Sequence, residues 1–183
     1  GEPEGTGERV STGTSIPRPL GRGIGHNIHM DTSRFSIVPA TWRDLTALRR
    51  LENECFREDA WPVLDLIGAL TLPNMVRLKA INNENGEMIG FICGDPDTRQ
   101  QVGWITTVCV DPAYRRQGIG TALLDECERQ LRLPRIRLSV ARSNHGALRL
   151  YEQRGYRKVD VWRQYYRSGD DALVLEKNSL TIP

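Results

Sequence analysis

The stretch "DPAYRRQGIGTALL", residues 111–124, constrains this chain more than any other. It sets Arg115, Arg116, Gly118 and Gly120 directly ahead of an apolar run with helical spacing. A helix start carries unpaired backbone N–H groups and the positive end of a macrodipole. Glycines leave those N–H groups unobstructed and arginines add charge beside them, so the stretch suits a bound polyanion. The run from Val102 to Val110 reads as a strand and feeds straight into this turn.

The flanking segments extend the pattern. Phe35, Ile37 and Val38 suit a first strand, and "TWRDLTALRRLENECF" follows with Thr41 as N-cap and Asp44 in the capping-box position. Leu45, Leu48, Leu51 and Cys55 then recur at helical spacing. A short second helix is expected over Val63 to Leu72, and two β-type runs around Asn85-Gly86 read as a hairpin. After the glycine turn, Ala122, Leu123, Leu124, Cys127 and Leu131 mark one helix face, closed off by Pro134. "RIRLSVA" alternates as a strand, with Ile136, Leu138 and Val140 on one side and Ser139 on the other. "SNHGALRLYEQRG" reads as a helix capped at Ser143 or Asn144 and stopped by Gly155. Two extended runs, "YRKVDVWRQYY" and "DALVLEK", complete the chain across a Ser168-Gly169 turn. The order implies a mixed α/β (α+β) domain, antiparallel in front with a parallel crossover behind.

Residues 1–33 hold seven of the 17 glycines and three of the ten prolines without apolar periodicity, and are expected to form a flexible extension. The folded domain is then expected over 34–183. Cys55, Cys93, Cys109 and Cys127 lie 38, 16 and 18 residues apart with no CxxC pair, which argues for reduced core thiols and no metal. His26 and His29 fall in the extension. No apolar run reaches the length of a membrane span and none near the start resembles a signal peptide, so a cytoplasmic protein without membrane association is expected. Between Arg115 and Arg167 there are thirteen Lys or Arg against five Asp or Glu, a basic half suited to anions. Helix-turn-helix and RNA-binding signatures are absent, so no nucleic-acid partner is expected.

Arg115-x-x-Gly118-x-Gly120 opening the central helix, joined to "VARSNHGALRLYEQRGY" and "RQYY", resembles the GNAT superfamily of acyl-CoA-dependent N-acetyltransferases. Within it the chain is most similar to the RimI-type ribosomal-protein N-terminal alanine acetyltransferases, over residues 35–177. The resemblance implies a GNAT fold with a mostly antiparallel central sheet, a parallel crossover and flanking helices. It implies acetyl-CoA as co-substrate and a primary amine as acceptor, with a protein N-terminal α-amine as the first reading and a small-molecule amine as the alternative. A non-catalytic acetyl-CoA-binding module is the third reading.

Carried onto this sequence, the resemblance places the pyrophosphate of acetyl-CoA on the backbone N–H groups of Arg116, Gln117, Gly118, Ile119, Gly120 and Thr121, with Arg115 also at the cofactor. It sets the pantetheine arm beside the backbone of Val108, Cys109 and Val110, and Asn144 at the cofactor. A backbone N–H aimed at the thioester oxygen would stabilise the developing oxyanion. Tyr151 takes the position of the proton-donating tyrosine, while Trp61, Tyr165 and Tyr166 take those of aromatic residues beside the acceptor. The general base of RimI-type enzymes is a glutamate, and Ser139 stands in its place here. A serine cannot accept a proton at neutral pH unaided, so either a water chain held by Ser139 and backbone carbonyls or another carboxylate takes the role, or little base is needed and the acceptor arrives neutral: an α-amine has a pKa of about 7.7–8, a lysine about 10.4.

Overall fold

The computed structural model describes residues 34–56 and 62–179. Seven strands form one sheet: β1 (Phe35–Pro39), β2 (Val76–Asn82), β3 (Met88–Asp97), β4 (Val102–Val110), β5 (Arg135–Ala141), β6 (Arg157–Trp162) and β7 (Ala172–Asn178). Four helices accompany them: α1 (Leu45–Phe56), α2 (Val63–Thr71), α3 (Ile119–Leu131) and α4 (His145–Gln153). The sheet order is β1-β2-β3-β4-β5-β7-β6. Every neighbouring pair is antiparallel except β4 and β5, which α3 connects as a crossover. The expected mixed α/β architecture is what the chain adopts.

Two apolar clusters sandwich the sheet. On one face Ile119, Leu123, Leu124, Cys127 and Leu131 of α3 pack with Tyr151 of α4 against Ile92, Ile105, Ile136 and Leu138. On the other, Leu48 and Leu51 of α1 and Leu66, Ala69 and Leu70 of α2 cover Phe91, Cys93 and Cys109. At about 25 cal/mol per Å² of apolar surface removed from water, these residues supply most of the folding drive. The close approach of α3 to the sheet depends on glycine at Gly94, where a Cβ would lie 2.9 Å from Cys127 Sγ.

Local chemistry decides the boundaries. The Thr41 N–H donates to Asp44 Oδ2 at 2.8 Å, so the capping box forms on a 3-10 turn, Trp42–Asp44, that runs into α1 at Leu45. Asn144 caps α4, its side chain accepting from the Ala147 N–H at 3.1 Å, and Gly155 ends the helix region at φ +85°. The hairpin between β2 and β3 closes with Gly86 at φ +73°, its N–H donating to Asn82 O at 2.8 Å. One boundary departs from expectation. The extended run toward Tyr165-Tyr166 stops at Trp162, because Gln164 turns left-handed at φ +47° and its N–H bonds Asp171 Oδ1 at 3.0 Å.

Candidate functional site

A parting of strands creates the site. β4 and β5 pair only from Val102↔Arg135 to Ile105↔Leu138. Beyond that point β4 follows β3, with Ile92↔Val108, Phe91↔Cys109 and Gly90↔Val110, while β5 follows β7 to Ala141↔Ala172. The β5-side edge of Val108–Val110 therefore faces a cleft of about 640 Å³. α3 and α4 form its walls and the end of α1 its floor.

The turn between β4 and α3 forms one end. Asp111 holds its start, its carboxylate accepting from the Ala113 N–H at 2.9 Å. Arg115 is extended, Arg116 is left-handed at φ +64°, and Gly118 is left-handed at φ +82° as the N-cap of α3. A non-glycine residue at positive φ costs about 1–2 kcal/mol, so Arg116 is held in a strained conformation. No side chain caps α3, no acidic residue lies in its first turn, and its ladder begins with Ala122 N–H donating to Gly118 O at 2.9 Å. The N–H groups of Ile119, Gly120 and Thr121 accordingly have no partner within the helix. Arg115, Arg116 and Arg149 of α4 line the same cleft.

α4 contributes Asn144, Gly146, Ala147, Leu150 and Tyr151 to the opposite wall. The Tyr151 ring meets Tyr156 edge-on at 5.7 Å and is almost fully buried. Burial, then the nearby Tyr166 and Cys109, push its phenol well above the usual value, so it keeps its proton at neutral and moderately basic pH.

The floor holds two thiols over a carboxylate. The Cys55 thiol contacts Val110 O at 3.3 Å, and Arg115 Nε donates to the same carbonyl at 3.1 Å. Behind them Glu52, wholly buried, accepts from the Thr107 hydroxyl at 3.1 Å and from the Cys109 thiol at 3.9 Å. A hydrogen bond with Cys109 and the charge of Arg115 draw the Cys55 thiol below its ordinary value against the effect of burial. The same contact with Cys55, together with burial, pushes Cys109 well up.

Of the residues singled out in the sequence, Val108, Cys109, Val110, Arg115, Arg116, Gly118, Ile119, Gly120, Thr121, Asn144 and Tyr151 converge on this cleft. Gln117 does not: it lines a smaller cavity of about 210 Å³ with Asn82 and Tyr114. Tyr165 and Tyr166 also lie off the cleft lining, within an aromatic series from Trp104 to Trp162 (6.0 Å), Tyr165 (5.2 Å) and Tyr166 (5.2 Å). Tyr166 is nonetheless close enough to Tyr151 to influence its proton. Trp61 lies outside the described residues. Ser139 sits on β5 opposite Val174, one residue past the last β4–β5 pair. No Asp or Glu is among the described residues lining the cleft. Among the described residues, no group of three or more His, Cys, Asp or Glu is placed to hold a metal.

Sequence reasoning missed Cys55, Tyr114 and Arg149 as cleft residues and Glu52 behind them. One signal was present: Glu52 occupies an apolar helical position, four residues after Leu48 and three before Cys55.

Comparison with known proteins gives a consistent result. The model of the acetyltransferase (GNAT) family matches residues 42–156. The chain is 31% identical over 156 residues to the N-alpha-acetyltransferase RimI of Mycobacterium tuberculosis, covering 81% of this chain and 96% of that protein. It is 30% identical over 146 residues to the N-terminal acetyltransferase A complex catalytic subunit NAA10 of Arabidopsis thaliana, covering 76% and 75%. Its fold resembles the ribosomal-protein-S18-alanine N-acetyltransferase from Escherichia coli, with a TM-score of 0.69 at 23% identity, covering 81% and 99%.

Proposed function

Because this chain belongs to the GNAT acetyltransferase family, we propose that it is an N-acetyltransferase moving the acetyl group of acetyl-CoA to the free α-amine of a protein N-terminus. The cleft carries this reading. An open strand edge leads to a helix N-terminus that no side chain caps, and arginines flank both. An acyl-CoA fits these groups: an amide-bearing arm can pair with the backbone of Val108–Val110, and phosphates can take the N–H groups at the start of α3. Acetyl-CoA, when bound, supplies the acetyl thioester. Arg115, Arg116 and Arg149 balance phosphate charge at the rim. The β4 backbone orients the thioester carbonyl and offers it an N–H donor. Tyr151, held protonated by burial, donates its hydroxyl proton toward the departing sulfur. Tyr165 and Tyr166, beside Trp162 and off the cleft lining, are assigned in this reading to the acceptor.

Among the described residues no carboxylate lines the cleft and Ser139 stands at the strand parting, so this reading has the acceptor arrive neutral. An α-amine, of pKa about 7.7–8, meets that condition far better than a lysine side chain at about 10.4. M. tuberculosis RimI and A. thaliana NAA10, the relatives compared above, bear names of the same acceptor class.

The test is kcat/KM against pH with two peptides, one offering a free α-amine and one blocked there and offering only lysine. At pH 7.5 the α-amine peptide should lead by on the order of a hundredfold, following the neutral fractions. Its rate should climb through the amine's own pKa with no fall below about pH 10, because the Tyr151 phenol titrates above its ordinary value. Ser139→Glu should move the rise to lower pH. Coincident profiles for both amines would exclude reliance on a neutral acceptor. Turnover of small amines alone would assign the enzyme to that acceptor class.

A further inference from the structure

The floor of the cleft holds a feature that acetyl transfer leaves unused. Cys55, near the C-terminus of α1, and Cys109, near the end of β4, are 54 positions apart in sequence, yet the Cys55 thiol reaches the carbonyl of Val110, the residue after Cys109, at 3.3 Å, and the Cys109 thiol reaches Glu52, three residues before Cys55, at 3.9 Å. Cys55 is half-buried and lines the cleft, while Cys109 lies buried beneath it. Arg115 and Cys55 converge on one carbonyl, that of Val110, so a guanidinium stands beside the outer sulfur. The inner sulfur is anchored from behind by Glu52, which also holds Thr107. A reachable thiol beside a cation, with a second thiol behind it where α1 packs on β4, is the arrangement that favours attack on an oxidant followed by internal capture. Cys93 and Cys127 are buried and line neither described cavity.

We propose that Cys55 and Cys109 are a peroxide-oxidised thiol pair, closing to a disulfide across the floor of the cleft. In the first step the Cys55 thiolate attacks one oxygen of hydrogen peroxide and the O–O bond breaks. The departing hydroxide takes a proton and leaves as water, and Cys55 becomes a sulfenic acid. In the second step the Cys109 sulfur attacks the Cys55 sulfur and loses its proton, the S–O bond breaks, and a second water leaves. Two thiols give up two electrons and peroxide is reduced to two waters. The bond ties α1 to the strand that borders the cleft and removes the Cys55 contact to Val110 O. Oxidised protein should therefore bind acetyl-CoA more weakly, and dithiothreitol should restore binding.

The experiment treats the full chain with hydrogen peroxide, blocks remaining thiols with N-ethylmaleimide and maps peptides by mass spectrometry. The expected product is one cross-linked pair joining the peptides of Cys55 and Cys109, lost on reduction, with Cys93 and Cys127 still alkylated. In Cys109→Ser, dimedone should trap Cys55 as a sulfenic acid. In Cys55→Ser, peroxide consumption should fall by roughly tenfold or more and Cys109 should remain alkylatable. A wild-type protein whose Cys55 is oxidised singly, with Cys109 still alkylatable, overturns the proposal, as does a cross-link through Cys93 or Cys127. The mass readout requires no turnover and no variant.

Discussion

Two helices turn their N-termini toward the same cleft, and they are finished in opposite ways. α4 is closed by its own side chain, with Asn144 accepting from the Ala147 N–H at 3.1 Å. α3 is opened by Gly118 at φ +82°, with no cap and no acidic residue in its first turn. A capped terminus adds typically about 1 kcal/mol of stability, and α3 forgoes it. What α3 keeps instead is a set of backbone donors with nothing attached. α4, its own terminus satisfied, contributes side chains, above all Tyr151 two turns in. One helix holds by backbone and the other acts by side chain.

The division can be broken at three points. The largest effect is expected from Tyr151→Phe, which keeps the edge contact with Tyr156 and removes only the hydroxyl. Turnover should fall by roughly 10²-fold while acetyl-CoA affinity measured by calorimetry stays nearly constant. Near-normal turnover with chemistry limiting would remove Tyr151 from the acid role. Next is Gly118→Val, which forces a β-branched residue into the left-handed region at a cost of about 1–2 kcal/mol. The variant's free turn relieves that strain by leaving the left-handed region, so binding must restore it and acetyl-CoA should bind about five- to thirtyfold more weakly; undiminished affinity in a folded variant would refute a binding role for that turn. The smallest change is expected from Asn144→Ala. A lost cap of about 1 kcal/mol lowers Tm by roughly 2–4 °C in a chain of this size, with a smaller loss of acetyl-CoA affinity than Gly118→Val. If affinity fell as much as in Gly118→Val, both termini would be binding elements and the contrast between them would fail.

What could be read from the sequence was local. The Thr41–Asp44 box, the Asn144 cap, the alternation of Ile136, Leu138 and Val140, and the Gly118 turn each depend on residues a few positions apart, and each appears as expected. The misreadings come from long-range geometry. Cys55 reads as one more apolar helix position, because its approach to Cys109 and Val110 exists only after α1 packs on β4. Tyr165 and Tyr166 were expected at the end of an extended run, yet Asp171 grips Arg163 and Gln164 and turns the chain first. Gln117 lies inside the motif, and the left-handed residues on either side of it send its side chain to the neighbouring cavity. A motif fixes its backbone more firmly than the direction of each side chain.

The parting of β4 from β5 has a consequence for solubility. From Thr106 to Val110 the sheet has an edge in its interior, a row of backbone donors and acceptors on a segment rich in β-branched residues. On the outside of a sheet such an edge invites pairing with another copy of the chain and then aggregation. Here α3 and α4 wall the edge into a cleft, and the arginines that line it repel a second copy of a basic surface. The molecule keeps an adhesive edge that its own neighbours cannot reach.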